Sequence, residues 1–288
     1  MKKVNKKKII IVGASGFIGR NLLDKLNKAN KHEVIGTYFN NYQKNLIKYN
    51  HHNEKSNEKL FLEEKPDIII WCSGLKNLQE TETSNSKALK ENFYPIKFLS
   101  NYLKNFSKTK FIYISTDYVF SGEKGNYKFD DKPSPNTNYG KSKLEAEKFI
   151  RKNFPFYLIV RTSAVIGKGS SFFDWIYNSM LNHNKIELYS NIFTPTSISF
   201  LVEEIENLLF VTKSNIYHIC GNVNMSRFDL GLIMAKCFEY DLNLILKKET
   251  PKNSNFKKNL SLKSSVKSIH DFSIEKFIQS EFKKYKNN

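Results

Sequence analysis

Cysteine is scarce in this sequence: Cys72, Cys220 and Cys237 lie far apart among 288 residues and share no paired spacing. An odd, scattered set excludes a disulfide framework and suits a reducing compartment, so a cytoplasmic protein is expected. Long apolar runs are missing as well. No stretch approaches the roughly 18 residues a membrane-spanning helix needs, and the lysine-rich start MKKVNKKK leads into only a handful of apolar residues before Gly13. Neither a signal peptide nor a membrane anchor is expected. The six histidines show no metal-ligand spacing. His51 and His52, being adjacent, are expected to project in different directions from a loop, and no structural metal is expected. Acidic side chains are outnumbered by basic ones, 28 against 46, for a formal net charge of +18. A field of that sign can steer polyanions. The lysines, however, are scattered from end to end, among many asparagines and isoleucines, which reads as compositional bias. Nucleic acid is therefore not expected as a partner, while an anionic small substrate gains mildly.

What is present is a globular composition. At 40% hydrophobic residues the chain can bury a substantial core, and its length suits one large or two unequal domains. Short β-rich runs alternate with longer amphipathic segments through the first 165 residues. KIIIV (8–12), EVIGTYF (33–39), DIIIWCS (67–73), KFIYIS (110–115) and YLIVR (157–161) are continuous apolar runs of strand length, as strands covered on both faces require. Between them lie helical patterns such as FIGRNLLDKLNKAN and KALKENFYPIKFLSNYL, the latter kinked or divided at Pro95. Strand, helix, strand in this order implies right-handed crossovers and an α/β fold with a doubly wound parallel sheet. After Gly167 the pattern loosens. SSFFDWIYNSML, SISFLVEEIENLLF and SRFDLGLIMAKCFEY read as helices and NIYHIC as a strand, while the lysine-rich tail from about Lys247 carries little pattern. The expected division is 1–166 as a nucleotide-binding domain and 167–288 as a smaller cap for substrate, with about 195–221 returning to the core.

Directly after the first run stands GASGFIG, opening into a helical segment. Gly13, Gly16 and Gly19 allow a tight turn and a close backbone approach to a pyrophosphate, whose charge is stabilised by the free N–H groups of a helix N-terminus. Placed between strand and helix at the head of a βαβ series, the motif predicts a Rossmann-type dinucleotide site built on Gly13, Ser15, Gly16, Phe17, Ile18 and Gly19. Ser15 stands where the standard fingerprint has its second glycine. An NAD site usually carries an acid at the end of the second strand to hold the ribose hydroxyls. Here that stretch is Thr37, Tyr38, Phe39, Asn40 and Asn41, with Arg20 and Lys44 as candidate partners of a 2′-phosphate, so NADP (as NADPH) is expected over NAD.

STDYVF follows the fourth clear strand and brings Ser115, Thr116 and Asp117 to a carboxyl edge of the sheet. Further on, NYGKSK sets Tyr139 and Lys143 one helical turn apart on one face. Carbonyl reduction by a nicotinamide needs a group to polarise the oxygen and a proton for the developing alkoxide. Tyr139 can give the proton, Lys143 can lower the phenol's pKa and reach the cofactor ribose, and Thr116 can donate to the carbonyl oxygen.

Together, Gly-x-x-Gly-x-x-Gly, STDYVF and the Tyr-x-x-x-Lys of PNTNYGKSKLEAE resemble the extended branch of the short-chain dehydrogenase/reductase family. STDYVFSGEKGNY, PSPNTNYGKSKLEAE, RTSAVIG and TPTSISFLVEEI narrow the resemblance, from about Lys8 to Gly221, to dTDP-4-dehydrorhamnose reductases and related sugar-nucleotide reductases. That resemblance implies Tyr139 as proton donor, Lys143 as its partner and Thr116 as the carbonyl-binding hydroxyl. It places Cys72, Ser73 and Gly74 against the cofactor, Asn50 or His51 near its adenine, and Asp117 facing the sugar of a nucleotide-sugar substrate. A homodimer is compatible with it. Two departures bear on the sugar: Ala164 stands where the rhamnose-forming members carry Trp, and SNIFTPT has Asn191 and Phe193 where they carry an acid and a glycine. Tyr118 stands where the related dehydratases place a glutamate after Thr-Asp, which disfavours dehydration. Two readings remain beside a reductase: an epimerase of the same family, and a non-catalytic NADP-binding regulatory subunit like that of methionine adenosyltransferase.

Overall fold

The computed structural model describes residues 6–103, 108–251, 255–266 and 273–286. Most of the lysine-rich start, residues 1–5, and parts of the lysine-rich tail lie outside the described residues. The chain forms two compact units: Met1–Val119 with Pro135–Arg161 and Val202–Tyr217, and Phe120–Ser134 with Thr162–Leu201 and His218–Asn288. Relative to the boundary expected near residue 166, the segment Phe120–Ser134 groups with the second unit, and the segment grouping back with the first is Val202–Tyr217.

The first unit is built on a seven-stranded sheet. Its strands are β1 (Lys8–Val12), β2 (Glu33–Tyr38), β3 (Ile47–Lys48), β4 (Ile68–Trp71), β5 (Lys110–Thr116), β6 (Tyr157–Thr162) and, later in the chain, Asn215–His218. The last of these borders β6, followed by β5, β4, β1, β2 and β3. The pairs β1–β2, β1–β4, β4–β5 and β2–β3 are parallel, with Ile10 opposite both Ile35 and Ile69. Strand order reverses between β1 and β4, so the loops leaving their carboxyl ends flank the crevice where open α/β sheets hold ligands. The two-residue β3 lacks a hydrophobic run and was not legible as a strand.

Helices α1 (Phe17–Ala29), α2 (Glu54–Glu64), α3 (Leu78–Glu82), α4 (Asn85–Asn92), α5 (Tyr94–Leu103) and α6 (Asn138–Asn153) complete this unit together with part of α8, given below. Alternate strand residues point to one face. Thus Ile10 and Val12, Ile69 and Trp71, Phe111 and Tyr113, and Ile159 form a buried layer with Phe61 of α2, Ile96 and Leu99 of α5, and Ala146 and Ile150 of α6. The division expected at Pro95 is observed, since α4 ends at Asn92 and Pro95 occupies the first turn of α5. A proline there lacks only an N–H that has no helical partner anyway.

The second unit holds three two-stranded pairings: β7 (Val165–Ile166) with β10 (Thr196–Ser197), β8 (Ile186–Tyr189) with β13 (Ile245–Lys248), and β9 (Ile192–Phe193) with β12 (Met225–Ser226); Asn215–His218 is β11. Helices α7 (Ser171–Leu181), α9 (Arg227–Phe238) and α10 (Ile274–Lys286) belong to it, while α8 (Ile198–Leu208) is divided between the units. Ser226 and Asp229 close a capping box on α9. Phe173 and Tyr177 of α7, Phe238 of α9, and Phe282 and Tyr285 of α10 form a cluster of stacked and edge-to-face rings. Among the described residues, no helix is long and apolar enough to cross a membrane.

Candidate active site

Two loops of the first unit and the start of α6 carry the candidate residues. After β1 the chain turns through Gly13 at φ +84°, a left-handed conformation that L side chains rarely adopt. A methyl group there would also lie 3.0 Å from the Ser73 nitrogen, so glycine lets this turn approach the loop after β4. The turn is pinned by β2. The Thr37 hydroxyl oxygen accepts from the Gly13 N–H (3.2 Å) and the Thr37 carbonyl from the Ala14 N–H (2.8 Å). Gly16 caps α1 with no side-chain hydrogen bond and no acid follows in the first turn, which leaves backbone N–H groups free to meet an anion.

These loops border a cavity of about 270 Å³. Of the predicted cofactor residues, Gly13, Ser15, Gly16, His51, Cys72, Ser73 and Gly74 line it. Phe17, Ile18 and Gly19 sit instead in the first turn of α1, and Asn50 uses its side-chain oxygen to accept from the His52 N–H (3.0 Å). Thr37 through Asn41 line the cavity and bring no carboxylate, whereas Arg20 and Lys44 are not among its lining. Glu91 of α4 was not read from the sequence, yet it lines the cavity and faces His52 Nε2 at 3.2 Å. His51 and His52 do not project apart. Their ring centroids are 4.3 Å apart, and together with Glu91 they bring potential ligand atoms within 4.8 Å of one another. Burial pulls the His51 imidazolium down to about 4, so His51 is neutral at pH 7.

The residues of STDYVF and NYGKSK come together through the way α6 is seated. Pro133 and Pro135 release the chain, the Thr137 hydroxyl accepts from the Gly140 N–H (3.0 Å), and Glu82 Oε1 accepts from the Tyr139 N–H (3.1 Å). A Cβ on Gly140 would lie 2.1 Å from the Tyr118 carbonyl oxygen. Only a glycine lets α6 lie against the 3-10 turn Asp117–Val119, and that contact sets Tyr139 in hydrogen-bond reach of Thr116. The G in NYGKSK was the available signal, and sequence reasoning passed over it. Asn92 was missed too: its Oδ1 accepts from the Leu75 N–H (2.9 Å) and its Nδ2 donates to Ser142 Oγ (3.0 Å), joining the loop after β4 to α6.

Thr116 and Asp117 are buried, and the Thr116 hydroxyl donates to Asp117 Oδ1 (3.0 Å). Lys143, also buried, donates from Nζ to the Ile114 carbonyl (2.7 Å) and stands 4.1 Å from the centre of the Tyr113 ring. Burial pulls its ammonium down to about 7, against Glu147 and Cys72, which raise it. Burial pushes the Tyr139 phenol up to about 12, partly offset by the hydrogen bond with Thr116. The phenol is therefore raised by desolvation rather than lowered as expected, and the group that lowers it is Thr116, not Lys143. The Cys72 thiol, likewise pushed up by burial to about 12, is a neutral, unreactive lining group at pH 7.

Residues 7–277 match the family model described as RmlD substrate binding domain. The chain belongs to that family. Among curated relatives of this RmlD-type chain, dTDP-4-dehydrorhamnose reductase of Aggregatibacter actinomycetemcomitans is 27% identical over 78% of this chain and 77% of that one. Methionine adenosyltransferase 2 subunit beta of Danio rerio is 28% identical over 56% of this chain and 49% of that protein, so the match spans about half of that relative's length. Among solved structures, dTDP-4-dehydrorhamnose reductase of Bacillus anthracis in complex with NADP superposes with a TM-score of 0.85 at 24% identity, covering 97% of this chain and 99% of that one. At that identity the likeness speaks for the fold, a Rossmann-like α/β architecture.

Proposed function

We propose that the chain is an NADPH-dependent reductase of a 4-keto sugar carried on a nucleotide. The observation that carries the reading is the Tyr139 phenol in hydrogen-bond reach of the Thr116 hydroxyl, with the buried Lys143 ammonium one helical turn beyond Tyr139 and electrostatically coupled to Cys72 at the cavity wall. The cavity fits a dinucleotide. Its glycine turn meets an uncapped helix N-terminus, as a pyrophosphate requires, and its lining includes the ends of β1 and β2 and the loop after β4. The missing carboxylate at the end of β2 supports NADP over NAD, although Arg20 and Lys44 do not contribute to that wall. The relative named as a dTDP-4-dehydrorhamnose reductase supports the substrate class. Recognition of the nucleotide sugar is assigned to the second unit.

A bound nicotinamide supplies hydride to the carbonyl carbon. Tyr139, protonated throughout the physiological range because its pKa is raised to about 12, holds the proton that the carbonyl oxygen takes up. Thr116 turns its hydroxyl from Asp117 to the same oxygen, and Lys143 supplies the positive charge that favours the phenolate left behind. Tyr139→Phe removes the proton and leaves the cavity wall intact. Turnover is expected to fall by about 10²–10⁴ with NADPH affinity unchanged, read by initial rates and a fluorescence titration. Retained turnover would refute Tyr139 as the acid.

A second reading, a cofactor-binding regulatory subunit, is favoured by the relative named methionine adenosyltransferase 2 subunit beta. An epimerase of the same fold is the third. Only the reductase consumes NADPH in proportion to product.

A further inference from the structure

Behind the proposed proton donor lies a buried ionic group that the reaction does not use. Glu147 sits one helical turn beyond Lys143 on α6 and is 1% exposed; Arg161 near the end of β6 is 2% exposed. Arg161 donates through Nε to both carboxylate oxygens (3.0 and 3.2 Å) and through NH2 to Oε2 (2.7 Å). The Ser115 hydroxyl donates to Glu147 Oε1 at 2.5 Å. Ser115 immediately precedes Thr116, so one carboxylate grips the strand that carries the hydroxyl and shares a helix with both the phenol and the ammonium.

A bidentate pair of this kind costs desolvation, and packed apolar residues would fill the same volume at least as stably. What apolar residues could not do is fix the register of α6 on β5 by a directed hydrogen bond, or leave a negative charge one turn from Lys143. We infer that Glu147, held by Ser115 and Arg161, is a positioning residue that sets Thr116 against Tyr139 and keeps Lys143 charged. The inference rests on the reductase reading for its kinetic test, though not for its spectroscopic one. Other groups acting on Lys143 are the Tyr113 ring and the Ile114 carbonyl from β5 and Cys72 from the loop after β4.

Three variants test it. Ser115→Ala cuts the tether and leaves the charges. It should lower kcat about tenfold with NADPH affinity and KM unchanged, and Ser115→Thr should recover most of the loss. Glu147→Gln keeps the shape and leaves the Arg161 charge uncompensated. It should move the pH at which Lys143 deprotonates, followed by NMR of ε-¹³C-lysine with Lys143→Arg for assignment, downward by about one unit or more. The alkaline limb of kcat/KM should move with it. If Glu147→Gln alone does not fold, Glu147→Gln/Arg161→Met, which removes both charges, should show a smaller downward shift of the same Lys143 titration relative to wild type. Overturning results are a Lys143 titration that stays in place in whichever variant folds, or a Ser115→Ala enzyme with wild-type kcat. If wild-type protein consumes no NADPH with any keto sugar, the reductase reading fails, and the lysine titration alone decides the positioning role.

Discussion

The surroundings of Lys143 and of His51 each set a measurable pH dependence. Lys143 acts as a cation and is pulled by burial to about 7. Its charged form is present below that pH and lost above it, so kcat/KM, which reports the free enzyme, should fall as pH rises through about 7. A flat profile to pH 9 would show that the ammonium is not required. Tyr139 contributes no competing limb, since its phenol stays protonated to about 12. His51 acts on stability instead. Its folded-state pKa of about 4 lies below the ordinary 6.5, so the unfolded chain takes up the proton first. The stabilisation is complete above 6.5 and is lost as pH falls towards 4, on the order of 3 kcal/mol in all. Denaturant melts of wild type and His51→Gln should differ most near pH 7 and converge near pH 4; parallel curves would contradict a neutral buried imidazole.

At the scale of the element, legibility tracked hydrophobic pattern. The strands after which the candidate site is built are runs of isoleucine and valine covered on both faces, and β1 spans the same Lys8–Val12 that its sequence suggested. Pro95 announced the break between α4 and α5 because a proline tolerates only the first turn of a helix. Helix α10 stayed hidden. It buries Ile274, Phe277 and Ile278 at helical spacing, but these lie among lysines that mask the stripe. The site was legible where backbone freedom or an obvious chemical group was needed, as at Gly13, Tyr139 and Lys143. It was illegible where its geometry depends on close approach: Gly140 against the Tyr118 carbonyl, Asn92 between Leu75 and Ser142, and the tilted rings of the neighbouring His51 and His52. Gly140→Ala tests the first of these. The added methyl would force α6 off the 3-10 turn, so turnover should drop at least tenfold while the cavity around Gly13 keeps its NADPH affinity. Wild-type turnover in that variant would mean that the contact does not position Tyr139.

For the whole molecule, family membership, the reversed strand order and the hydrogen-bonded Thr116 hydroxyl and Tyr139 phenol support the proposed hydride transfer to a carbonyl. A regulatory subunit would bind the same dinucleotide without turnover, and an epimerase would return its hydride within each cycle. The departures at Ala164, Asn191 and Phe193 lie in the second unit. The decisive measurement is NADPH oxidation at 340 nm by purified protein against a panel of 4-keto sugar nucleotides, with product quantified in parallel. One NADPH consumed per hydroxyl formed, abolished by Tyr139→Phe, is the predicted result. Binding of NADPH with no consumption across the panel, or sugar interconversion without net oxidation, would contradict it.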